Sequence, residues 1–164
     1  MFNFQQMGVA AAMALGFVVS AHAATETTTF NVKLTITESC TIKGVSATDV
    51  DFGTVARSAS VTDAQGAVVV KCSTGTPYKV GLDNGANAVG TQRNMKLGTT
   101  TNVIAYDLYT TAARNVPWTD VAGTPVNGTG DNTNQSLPVF GRVSGSTNVP
   151  AGAYIDTVTA TLSY

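Results

Sequence analysis

Histidine is all but missing from this 164-residue chain, its one copy being His22, and charged residues make up only 12% of the sequence. With no imidazole beyond position 22, the chain cannot build nucleophilic catalysis of the Ser-His-Asp kind. Two cysteines, Cys40 and Cys72, are too few to hold zinc without histidine partners. Basic residues such as Lys33, Lys71 and Arg114 stand singly between neutral neighbours, and the formal net charge is −1, so there is no basic patch to act as a nucleic-acid footprint. No apolar run reaches the ~20 residues that a membrane-spanning helix needs. Beyond residue 23 no stretch longer than a turn carries a helical period. An enzyme, a nucleic-acid binder and a helical membrane protein are all disfavoured.

What the chain has in quantity is Thr, Ser and Asn, together with 16 Gly. Thr and Val favour strands, whereas Gly, Asn and Asp favour turns, so the composition suits a β-rich exported protein. Met7 to Val19 forms an apolar core and Ala21-His22-Ala23 a small-x-small cleavage site, which together predict a secretory signal over residues 1–23. Met1 to Gln6 supplies no Lys or Arg, a departure from the usual signal pattern. Export delivers Cys40 and Cys72 to an oxidising compartment, where a disulfide is expected.

Strand-like runs follow the signal. Thr29 to Thr37 alternates without a slip, with Phe30, Val32, Leu34 and Ile36 on one face and Asn31, Lys33 and Thr35 on the other. Further runs are Cys40-Thr41-Ile42, Val50 to Val55, Ala67 to Cys72, Tyr78 to Leu82, Val103 to Tyr109, Gln135 to Val143 and Tyr154 to Tyr164. Residues 85–101 and 115–134 read as long loops, and Pro138 predicts an edge position or a bulge in its strand. Short strands at this spacing predict an all-β, immunoglobulin-like sandwich. About six strands from Cys40 onward fall one short of the ~7 of a constant-type immunoglobulin sandwich. An incomplete sandwich exposes an apolar groove, and such a groove marks an interaction site. In the last run Val158, Ala160, Leu162 and Tyr164 share a face.

Several motifs compete with this reading. Asp51-Phe52-Gly53 spells a kinase metal motif without its accompanying loops, and reads as a strand and tight turn with Phe52 in the core. Asp49 and Asp51 read as a solvated face. Asp131-Asn132-Thr133-Asn134 lacks the spacing and glutamate of an EF-hand loop. Asn127-Gly128-Thr129 and Asn134-Gln135-Ser136 match a glycosylation sequon and mark exposed loops. Trp118, in a loop, either covers one end of the sandwich or stacks on a sugar ring.

Several segments together resemble the spore coat protein U domain family, which includes pilins of archaic, Csu-type chaperone–usher pili. They are Thr29-Phe30-Asn31-Val32, Cys40-Thr41-Ile42, Asp51-Phe52-Gly53-Thr54-Val55, Val70-Lys71-Cys72, Thr76 to Leu82, Tyr106-Asp107-Leu108-Tyr109, Val139-Phe140-Gly141-Arg142 and Val149 to Thr159. The resemblance implies a signal peptide over 1–23, an N-terminal donor strand over 24–37 and a pilin domain over 38–164. It implies a shaft subunit with no catalytic residues, no cofactor and no metal. Such a subunit passes through the periplasm to a surface pilus that supports attachment and biofilm growth. Its partners are neighbouring copies, a periplasmic chaperone and an outer-membrane usher, and the mode of assembly is strand addition. By that resemblance Phe30, Val32, Leu34 and Ile36 enter the neighbour's groove. Val158, Ala160, Leu162 and Tyr164 face that groove or the chaperone, and the Cys40–Cys72 disulfide clips the first strand of the body to the second. A self-complemented coat protein of the same fold, and a secreted carbohydrate-binding module using Trp118, are the alternatives.

Overall fold

A computed structural model describes residues 24–42, 47–59 and 61–164; the expected signal peptide lies outside the described residues. The chain divides into two units between Thr35 and Ile36. In the first, residues 24–35 are exposed and free of strand pairing.

The second unit is an antiparallel sandwich. Its strands in chain order are β1 (Cys40–Thr41), β2 (Thr62–Cys72), β3 (Pro77–Leu82), β4 (Arg93–Leu97), β5 (Val103–Tyr109), β6 (Val126–Thr129), β7 (Gln135–Val143), β8 (Tyr154–Ile155) and β9 (Ala160–Ser163). One sheet has the order β1-β2-β7-β5-β4-β8 and the other β6-β3-β9. The longest ladder joins β2 to β7, with Thr62 opposite Val143 and Val70 opposite Gln135. Alternation sets which side chains turn inward. Val68, Val70 and Cys72 of β2 and Val139 and Val143 of β7 are buried, as are Tyr106 and Leu108 of β5. Tyr78, Val80 and Leu82 of β3 meet them from the second sheet to form one core. The architecture is the all-β, immunoglobulin-like sandwich expected.

Cys40 and Cys72 are disulfide-bonded and lie opposite each other where β1 pairs with β2. They are 32 positions apart, so closing that loop stabilises the fold by about 3–4 kcal/mol on the chain-entropy account. The double variant Cys40→Ser/Cys72→Ser is expected to lose that amount in urea unfolding with an unchanged m-value. A loss below ~1 kcal/mol would show that the bridge constrains little.

The strand list differs from expectation in instructive places. β4 and β6 sit inside the stretches read as loops. β4 carries Arg93-Asn94-Met95-Lys96-Leu97, whose first two residues are polar yet buried, which hides the apolar period. β6 is four residues long and includes Gly128, against which the Tyr78 ring packs so closely that a Cβ would overlap it. The C-terminal run is two strands, β8 pairing with β4 and β9 with β3, because the chain crosses from one sheet to the other over residues 156–159. Val50 to Val55 belongs to no strand and is interrupted by a turn at Gly53. Pro138 lies in β7 opposite Ala67 of β2, while β5 ends at Tyr109, opposite Phe140. At Pro138 the strand is locally an edge, so the missing amide costs no ladder bond.

Trp118 overturns one reading outright. Its side chain is 0% exposed and its Nε1 donates to the Val80 carbonyl at 2.8 Å. Its backbone amide donates to Leu108 at 2.8 Å, and its carbonyl accepts from Arg93 Nη2 at 2.9 Å. A ring in that position presents no face to a sugar.

A candidate strand-accepting groove

Two cavities, of 590 and 440 Å³, run along one flank of the sandwich and share Val50, Asp51, Phe52, Met95 and Tyr154 in their linings. They are two chambers of one groove. One wall is segment 47–57, which among the described residues is tied to β2 only by the bridge between Thr48 and Ala67, and the other is 149–160, which carries β8 and the start of β9. The larger chamber is floored by Ile104, Met95 and Val143, and the smaller by Val68, Leu108 and Val139. The floor is therefore the sandwich core itself, seen through a gap between two boundary segments.

Each wall is placed by identifiable residues. On the first, Val50 and Phe52 turn inward while Asp49 and Asp51 stay exposed. Phe52 meets Tyr106 edge-on at 6.4 Å between centroids. Gly141 makes this seat, since a Cβ there would overlap Val50 Cγ1 and the Phe52 ring. Asp51 Oδ1 accepts the Gly53 amide at 2.7 Å, and Gly53 itself has φ +66°, which ends the run as a tight turn. At the far end buried Thr147 ties the two walls together. Its Oγ1 accepts the Ala59 amide at 2.8 Å and donates to the Ala56 carbonyl at 3.1 Å.

The second wall is fixed where it changes sheets. Asp156 Oδ2 accepts the Tyr106 hydroxyl at 2.7 Å, and its Oδ1 accepts both the backbone amide and Nδ2 of Asn87 at 3.0 Å. Burial first, and then this hydrogen bond to Asp156, push the Tyr106 phenol far up, so it stays a protonated donor. Asp83 Oδ1 accepts the amides of Thr159 and Gly85, each at 2.9 Å. Arg93, 5% exposed, sends its guanidinium to the carbonyls of Leu82, Asp83 and Trp118, which joins β4 to the end of β3.

Burial pushes the Asp83 carboxyl up, but the Thr159 and Gly85 amides outweigh it and hold the group below the usual carboxylate range. A carboxyl with a depressed folded pKa stabilises the fold above its unfolded pKa of about 3.9, and that contribution disappears as pH falls through the native value. The stability gap between the wild type and Asp83→Asn should be constant from pH 7 to 5 and close below about pH 4. Urea midpoints measured across that range check it; a gap that widens on acidification would contradict the assignment.

The structure places the expected site residues as follows. Val158 and Ala160 line the smaller chamber. Leu162 packs on the core beyond the chamber linings, and Tyr164 is 62% exposed. Phe30, Val32, Leu34 and Ile36 are between 83% and 88% exposed. Four large apolar side chains in a row, all facing solvent, form a surface that calls for a partner. The groove's other wall, Val50 and Phe52, and the ties made by Asp156 and Thr147 were not singled out as site residues. Phe52 was legible as core, but nothing in the sequence shows that the segment beside it goes unpaired. Among the described residues no group of three or more His, Cys, Asp or Glu is placed to hold a metal. Asp131 Oδ1 is engaged by the Thr133 amide and hydroxyl, both at 2.8 Å.

The site is thus an apolar groove along one flank of an antiparallel sandwich. The chain belongs to the Spore Coat Protein U domain family, whose model matches residues 26–161 and so takes in most of the exposed N-terminal segment. Protein U of Myxococcus xanthus is 30% identical over 169 residues, covering 95% of this chain and 94% of that protein. Among solved structures, the CsuC-CsuE chaperone–tip adhesion subunit pre-assembly complex of the archaic chaperone–usher Csu pili of Acinetobacter baumannii contains a similar chain. It is 30% identical with a TM-score of 0.56 over 79% of this chain, which spans 40% of the length of that one. Among the described residues no helix is long and apolar enough to cross a membrane.

Proposed function

We propose that this protein is a structural shaft subunit of a Csu-type chaperone–usher pilus and polymerises by donor-strand exchange. The observation that carries the reading is the groove between segments 47–57 and 149–160, in a chain whose own residues 30–36 alternate apolar and polar side chains and pair with no strand. The similarity to a chain of the Csu chaperone–subunit complex supports it. In this reading the subunit leaves the cytoplasm on its 1–23 signal. A periplasmic chaperone strand fills the groove first, and at the outer-membrane usher residues 24–37 of the next copy replace it. Phe30, Val32, Leu34 and Ile36 then cover the core of the neighbour, and the resulting surface pilus serves attachment and biofilm growth. The role is structural and involves no catalysis.

Removing residues 24–37 is expected to yield a subunit that still binds a chaperone but cannot extend a fibre. Co-purification and a gel ladder of heat-resistant oligomers read the two properties separately. A full ladder from that variant would contradict the proposal. The extent of the match to Protein U favours a second reading, a coat protein that fills its own groove. Light scattering of the protein expressed in a periplasm separates the two, since self-complementation gives a stable monomer whose N-terminus resists protease.

A further inference from the structure

The groove has a polarity of charge as well as an apolar floor. On the wall 47–57, alternation sends Val50 and Phe52 inward and leaves Asp49 and Asp51 exposed, and both residues border the groove. The wall's one cation, Arg57, lines the larger chamber beyond the Gly53 turn. Asp51 borders both chambers and so marks the groove's middle. The N-terminal segment has the same two-sided pattern. With Phe30, Val32, Leu34 and Ile36 turned to one side, Asn31, Lys33 and Thr35 turn to the other, and Lys33 is the only cation between Ala24 and Ser39. A strand laid beside the wall with its apolar face on the core must present Lys33 on the same outer face as Asp49 and Asp51. On the opposite wall the exposed side chains, Ala151, Ala153, Ile155, Thr157 and Thr159 among them, are neutral.

We propose that Lys33 of one copy pairs with Asp49 and Asp51 of the next, and that this pairing sets the register of the inserted strand. The inference rests on the strand-exchange reading above and adds to it the contact that narrows the possible alignments. Four apolar side chains spaced by two residues fit a continuous groove equally well after a two-residue slip, because such a slip keeps the same face inward. The charge narrows that degeneracy to the alignments that set Lys33 beside Asp49 or Asp51. Directly opposed side chains on paired strands lie about 4.5–5.5 Å apart and diagonal neighbours about 7–8 Å, so two carboxylates spaced by two residues confine Lys33 to one or two alignments. Lys33 and both aspartates are exposed at the rim, so the pairing acts mainly on the rate of insertion and is salt-sensitive.

The test uses charge reversal in the full-length chain, with polymerisation followed by light scattering at low and high salt. Lys33→Glu, and separately Asp49→Lys/Asp51→Lys, should each slow assembly about three- to tenfold at low salt, with the difference shrinking in 0.5 M salt. The combined triple variant should recover most of the wild-type rate. Lys33→Glu polymerising at the wild-type rate, or a triple variant no faster than either parent, overturns the inference. Leu34→Asp is run alongside. If it blocks assembly while Lys33→Glu does not, strand exchange stands and the charge register falls. If Leu34→Asp also polymerises normally, the strand-exchange reading falls, and the register with it.

Discussion

Leu34→Asp is expected to abolish fibres while leaving the monomer folded. Leu34 is 84% exposed in the subunit, so the substitution removes no intramolecular packing and should not move the thermal melt. In the proposed assembly the same position is buried in a neighbour. Loss of that burial removes about 1.5–3 kcal/mol, and bringing an unpaired carboxylate into an apolar groove costs several more. At 1.4 kcal/mol per factor of ten, the insertion equilibrium should fall by more than about 100-fold. Heat-resistant oligomers on a gel and the melt by circular dichroism read the two halves of the expectation independently. An undiminished ladder would show that position 34 never meets a groove.

Trp118→Ala should have the largest effect on the body itself. The ring is wholly enclosed, and its removal leaves both a cavity and an unpaired Val80 carbonyl. Large-to-small core changes of this kind cost about 3–5 kcal/mol, and a buried acceptor without a donor adds about 1–3 kcal/mol. Against a total of about 5–15 kcal/mol for a typical domain, much of the population should be unfolded near room temperature. Denaturant unfolding of the wild type and the variant measures it. A variant within ~1 kcal/mol of wild type, with a glycan affinity lost, would restore the sugar-binding alternative that the buried ring now argues against.

The faces of the strands were legible in the sequence and the pairing partners were not. Alternation put Val158, Ala160, Leu162 and Tyr164 on one face; the first three are half-buried against the core, whereas Tyr164 is 62% exposed. It could not show that the run holding them breaks at residues 156–159 to serve two sheets, because side-chain direction continues through the break. β4 escaped notice because Arg93 is buried through hydrogen bonds to three carbonyls, a tertiary arrangement with no local signature. The disulfide was read from two cysteines in an exported chain, and the structure forms it. A groove was anticipated from a count of about six strands, but that count missed β4 and β6, so its reasoning did not hold, and the first wall was not foreseen. Val50 to Val55 looks like any strand, and only its lack of a paired neighbour makes it a boundary. The charge on that wall has meaning only once Asp49 and Asp51 are known to stand outside Val50 and Phe52.

Amide hydrogen exchange at residues 30–36, measured in the isolated subunit and again in the assembled fibre, bears most directly on the central claim. These amides have no strand partner in the subunit and should exchange rapidly there, then become protected by orders of magnitude once each strand pairs along a neighbour's groove. Strong protection already present in a monomeric subunit, or rapid exchange persisting in the fibre, would contradict it.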